Sequence, residues 1–217
     1  MTQRYPENTI MGTVEIINTN AQLLIRSHIV TYGNAADLET TKYIREEIED
    51  LWNEPKAQVR LAGKYYAVRF LITAELKREL MEMEVLQNLD PRNNFFRIEE
   101  YSSVHISFVD SIGCNTGYFK KDNLYTGSTT AAHEYGHTIG LEHPDDLDIR
   151  GMGTPGIMYP RGTLVDPAFQ YEPDKPAGEK GGTMHPIHRR VRSSDIEALR
   201  LEKLRYKNGV GILGEFT

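Results

Sequence analysis

Residues 133–143 read His133-Glu134-Tyr135-Gly136-His137-Thr138-Ile139-Gly140-Leu141-Glu142-His143. On a helix, residues four apart share one face, about one turn apart along the axis. His133 and His137 can therefore aim both imidazoles at a single ion. Glu134 follows the first histidine, so its carboxylate reaches a water on that ion rather than the ion itself. Gly140 tolerates the left-handed conformation that ends a helix sharply. The chain can then turn and return His143 to the same point. Three protein ligands and one position left for water is the pattern of a catalytic zinc site. Two histidines at helical spacing recur by chance; the glycine and the third histidine make the stretch specific.

The polar cluster Gly127-Ser128-Thr129-Thr130 supplies N-cap candidates for this helix, which should start near Ala131. Further upstream the pattern alternates between strand and helix. Leu23 to Thr31 is apolar and β-branched and ends at the turn signal Gly33-Asn34. Asp37 to Asn53 reads as a helix, with Ile44, Ile48, Leu51 and Trp52 at helical spacing and Glu54-Pro55 as its stop. Trp52 is expected to be a core anchor. Val59–Leu61 and Tyr65–Ile72 read as a hairpin around Ala62-Gly63-Lys64. Ala74 to Leu89 is rich in Glu, Leu, Met and Lys and predicts a helix, with Met81 and Met83 as core filler. Phe95–Glu99 and Val104–Val109 read as further strands, the second with Val104, Ile106 and Phe108 on its buried face and His105 at the surface or edge.

Downstream, Gly156-Ile157-Met158-Tyr159-Pro160 places a methionine fifteen residues after His143. Residues 160–190 form a long loop dense in Pro and Gly. Ser194-Asp195-Ile196-Glu197 is a capping box that opens a last helix, through about Tyr206.

With the extended histidine motif and the downstream methionine together, the sequence resembles the metzincin clan of metallopeptidases. Met158-Tyr159-Pro160 looks like the matrixin form of the methionine turn, whereas Pro144 after His143 looks like the serralysin form. The His143-to-Met158 gap is longer than matrixins use and shorter than serralysins use, so the family within the clan stays open. The resemblance implies an α+β fold, with a twisted, mostly parallel sheet, an antiparallel edge strand, an active-site helix and a C-terminal helix. It implies one catalytic domain over residues 1–217, with an upper lobe of about 1–140 and a lower lobe of about 141–217 around a cleft. It also implies a Zn2+-dependent endopeptidase, with His133, His137 and His143 as ligands and Glu134 as general base. Met158 would be a hydrophobic floor beneath the metal. An extended peptide or protein substrate would pair with the edge strand at Ser103, Val104, His105, Ile106 and Ser107, against a wall of Tyr159, Pro160 and Arg161. Matrixins also bind Ca2+; the acids Asp110, Asp145, Asp146 and Asp148 show no calcium-loop spacing and read as solvated. His185 and His188 flank Pro186 in a loop, which disfavours a second metal site.

Composition narrows the partners. The net charge of −6 argues against a nucleic-acid groove. The run Arg189, Arg190, Arg192 reads as a solvated loop. No stretch approaches transmembrane length, so no membrane partner is expected, and a monomer is. Cys114 is the single cysteine, which excludes an intrachain disulfide and reads as a loop or buried thiol. The first residues lack the apolar core of a signal peptide; cytoplasmic residence, export by another route and trimming from a longer precursor all remain open. Two other functional readings fit the same residues: a metal-holding interaction module that cuts nothing, and an effector peptidase domain of a larger delivery protein.

Overall fold

The computed structural model describes residues 12–101 and 106–216. Its frame is a mixed, curled sheet. The strands are β1 (Thr13–Ile17), β2 (Gln22–Tyr32), β3 (Gln58–Leu61), β4 (Lys64–Leu76), β5 (Asn93–Glu99), β6 (Phe108–Val109), β7 (Thr116–Lys120) and β8 (Val210–Ile212). The helices are α1 (Leu38–Asn53), α2 (Glu82–Leu86), α3 (Thr130–Thr138) and α4 (Ser193–Ala198). The main path runs β3-β4-β2-β5-β7-β6. Its four inner strands are parallel, while β3 and β6 close the two ends antiparallel. One edge of β2 is shared: Gln22–Arg26 pair antiparallel with β1, and His28–Tyr32 pair parallel with β5. β8 then pairs with β1, which brings the end of the chain back to the sheet. The sheet is thus less parallel than expected, with antiparallel pairing at both ends and through β1 and β8.

Alternation along β2 and β4 sets which face is covered. Leu23, Ile25, Ser27, Ile29 and Thr31 of β2, with Tyr66, Val68, Phe70 and Ile72 of β4, are all buried. α1 lies against this face through Ile44, Ile48 and Trp52. Trp52 is 1 % exposed and packs against Phe70 with ring centroids 5.3 Å apart, so it is the core anchor its spacing suggests. Asp37 caps α1 by accepting from the Thr40 N–H at 2.7 Å.

Two local expectations fail and a third holds in part. Ala74–Leu89 is not one helix. β4 continues to Leu76 because Ala74 to Leu76 pair with Ile29 to Thr31, and this pairing overrides local helix preference. Only Glu82–Leu86 is helical, and Met81 and Met83 are exposed rather than core filler. The last helix ends at Ala198. Arg200 then turns left-handed and Leu201–Lys203 form a single 3-10 turn. Of the strand read over Val104–Val109, Phe108 and Val109 are extended and paired, whereas Ile106 lies outside the strand and is exposed rather than buried; Val104 and His105, with Ser103 before them, lie outside the described residues.

Asp37 also pairs with Lys121 at 2.7 Å. That hydrogen bond first, and the Thr40 backbone second, pull its carboxyl down to about 2. A carboxylate with a depressed folded pKa stabilises the fold above its unfolded pKa and loses that contribution as pH falls through the folded value. Asp37→Ala should therefore lower stability at neutral pH by about 1 kcal/mol, as for a lost N-cap. The gap between wild type and variant should close between about pH 4 and pH 2. Denaturant melts at both ends of that range check it; a gap unchanged at pH 2 would contradict the assignment.

Candidate metal centre and cleft

α3 carries His133, Glu134 and His137, and all nine of its residues are buried. Its position is fixed from both ends and from below. At its start no side chain of Thr129 caps it. Glu47 of α1 does so instead, accepting from the N–H groups of Ala131 at 2.9 Å and Ala132 at 3.3 Å. The Tyr43 hydroxyl donates to the other Glu47 oxygen. A carboxylate at the positive end of a helix satisfies both the open N–H groups and the dipole. Below, Tyr135 points away from the histidines into the core, where Ser27 shares a 2.8 Å hydrogen bond with its hydroxyl. At the far end Gly140 has φ +96. Its N–H reaches the His137 carbonyl at 3.1 Å, and the Leu141 N–H reaches the Gly136 carbonyl at 2.9 Å. Those two bonds form a Schellman turn, and it redirects the chain towards His143.

The three histidines come together. Their ligand atoms lie within 4.8 Å of one another, and the Nε2 of His143 is 3.0 Å from that of His137 and 3.1 Å from that of His133. Among the described residues, no other group of three or more His, Cys, Asp or Glu residues gathers in this way. The opposite nitrogens are tied to backbone carbonyls: His133 Nδ1 to Ile157 at 2.7 Å and His137 Nδ1 to Leu141 at 2.7 Å. Only a protonated Nδ1 can donate there, which leaves Nε2 as a bare lone pair on each neutral ring. Burial holds all three imidazoles below their usual pKa, and the charge of Arg189 is the next cause for His133 and His143. Converging lone pairs on neutral rings repel one another unless a cation sits among them. Zn–N bonds of about 2.0–2.1 Å in a tetrahedral site set ligand nitrogens roughly 3.3 Å apart, close to what is observed. The donor set therefore fits a metal ion.

Glu134 lies beside this group in a cleft of about 640 Å³ that His133, His137 and His143 also line. Burial raises its pKa to about 8, against the pull of Arg189 and of the Val109 N–H. A cation at the histidines would pull in the same direction as Arg189. Met158 is 4 % exposed, with its sulfur pressed against Gly136. Ile106, Ser107, Pro160 and Arg161 line the cleft. Tyr159 does not: its ring packs on the small second core of Ile149, Val165 and Met184. Ser103, Val104 and His105 lie outside the described residues. Cys114 is buried, with its sulfur 3.1 Å from the Thr116 hydroxyl. His185 and His188 are taken up in aromatic contacts with Tyr171 and Phe169. Asp148 pairs with Arg150.

Sequence reading missed four contributors. Arg189 is not a solvated loop residue; it is 3 % exposed and donates to Thr129 Oγ1, the Tyr159 carbonyl and the Ser128 carbonyl. Glu47 left a signal, as an acid inside the apolar stripe of Ile44, Ile48 and Leu51. Gly136 and Tyr135 stood within the motif, but their roles depend on packing from distant segments. No known family model matches the chain, and no curated protein matches it.

A Cβ at Gly136 would sit 2.3 Å from the Met158 sulfur and 3.2 Å from Trp52. Gly136→Ala should cost about 1–3 kcal/mol, the range for overpacking a close-packed core. It should also weaken zinc uptake, because the Met158 segment carries the Ile157 carbonyl that orients His133. Thermal melting and competitive zinc titration measure both; an unchanged melting temperature would contradict the packing.

Proposed function

We propose that this chain is a zinc-dependent endopeptidase of the metzincin type. The observation that carries the reading is the convergence of three imidazole Nε2 atoms, two of them held as bare lone pairs, beside a buried carboxylate in a cleft bordered by a sheet edge. Zinc held by His133, His137 and His143 supplies a Lewis acid that acidifies water and polarises a carbonyl. Glu134 then takes the proton of the attacking water and passes it to the leaving amine. A carboxyl raised towards neutrality by burial, and held down by Arg189 and the Val109 N–H, is suited to both gaining and losing that proton.

An extended substrate has a place to lie. Among the described residues β6 ends the sheet and pairs on one side only, with β7. Phe108 and Val109 of β6 line the cleft, so a peptide added to that edge would run past Glu134. Pro160 and Arg161 line the same cleft. A purely structural zinc site closes with a fourth protein ligand; the described group has three, beside an acid that such a site has no use for.

Glu134→Gln should keep one equivalent of zinc and lose about 10²- to 10⁴-fold in turnover of peptide substrates. His143→Ala should lose most of its zinc affinity. Metal analysis and peptide digestion, run on both variants, separate the two roles. Wild-type turnover by Glu134→Gln would remove the base, and undiminished zinc binding by His143→Ala would remove the third ligand.

A further inference from the structure

The cleft holds two guanidinium groups, Arg161 and Arg189. Neither takes part in any of the ion pairs among the described residues. Arg161 is exposed at the rim. Arg189 is almost fully buried, and its hydrogen bonds go to one hydroxyl and two carbonyls, all neutral. Those three bonds fix the guanidinium and leave two of its five N–H donors. A buried cation surrounded by neutral acceptors is costly until an anion meets it. Burial brings Arg189 down to about 10, so it stays charged at neutral pH. The carboxylates whose charge reaches it are Glu134 and Glu47. Glu47 is committed to the start of α3, and Glu134 to proton transfer. The cleft's remaining acid, Glu142, is exposed and stands next to His143 in the chain.

We propose that the cleft receives an acidic side chain, Asp or Glu, from the substrate residue that carries the leaving amine, with Arg161 and Arg189 as the carboxylate's partners. The inference rests on the peptidase reading above. In that reading Glu134 hands its proton to the leaving amine, so this amine lies against Glu134. Arg189 and Arg161 line the same cleft as Glu134, and the side chain next to that amine is the one placed to meet them. Arg189, tied by three hydrogen bonds, presents a rigid fork, which suits a carboxylate better than a flexible ammonium would. Arg161 at the rim draws the anion in and is itself solvated, so substituting it leaves the fold alone.

Cleavage of a mixed peptide library by the zinc-loaded protein, with cut sites read by mass spectrometry, tests this beside Arg161→Ala, Arg161→Glu and Arg189→Lys. Wild type should favour Asp or Glu immediately after the cut by about tenfold or more, as a desolvated charge pair supplies. Arg161→Ala should reduce the preference several-fold, and Arg161→Glu should move it towards Lys and Arg. Arg189→Lys should blunt it; if that variant does not fold, the two Arg161 variants decide. A second readout needs no turnover. Glu134→Gln protein should bind a hexapeptide with a central Asp about tenfold more tightly than its Asn counterpart, with the gap narrowing as salt rises. Cleavage without acidic preference, or equal binding of the Asp and Asn peptides, overturns this inference and leaves the peptidase standing. If the zinc-loaded protein cuts no peptide at all, the peptidase reading falls and takes this one with it.

Discussion

The mutual approach of three imidazole nitrogens is the constraint on which the rest of the structure depends. Nitrogens 3.0 and 3.1 Å apart demand that α3 be held to within a fraction of an ångström, and separate parts of the chain do this. Glu47 on α1 fixes its first turn, Trp52 donates from α1 to the Ala132 carbonyl, and the Gly140 turn sets its exit. The methionine segment closes against Gly136 and lends the Ile157 carbonyl to His133. A nine-residue helix is too short to be stable by itself; burial on every side supplies what its length does not.

Charge is distributed around the same helix with little redundancy. Glu47 answers the N-terminal dipole, and burial raises its pKa while the Tyr43 hydroxyl and the α3 N–H groups lower it. Arg189 stitches the Met158 segment to the loop before α3 through the Tyr159 and Ser128 carbonyls. It lowers the imidazole pKa values and opposes the burial of Glu134. One guanidinium thus helps to keep the imidazoles neutral, the form able to bind a metal, and biases the neighbouring acid towards its ionised form. The charges of Glu134 and Glu47 offset part of its cost of burial.

Much of this was legible in the residues. The helical spacing of His133 and His137, the place of Gly140 and the apolar stripe ending at Trp52 are local patterns, and local patterns survive in sequence. What was not legible depends on partners distant in the chain. Ala74 to Leu76 prefer helix locally yet extend β4, because β2 offers them a ladder. Arg189 lies in a basic run that reads as solvated, and only the meeting of residues 128, 129 and 159 makes a pocket for it. Gly136 looks like a spacer until Met158, twenty-two positions on, is seen against it.

The most direct test of the central claim is a titration of metal-free protein with zinc, following hydrolysis of an unfolded protein substrate. Activity should rise linearly to one equivalent of zinc, vanish on chelation and return when zinc is restored. Binding of one equivalent of zinc at these histidines with no hydrolysis of any peptide bond would contradict it.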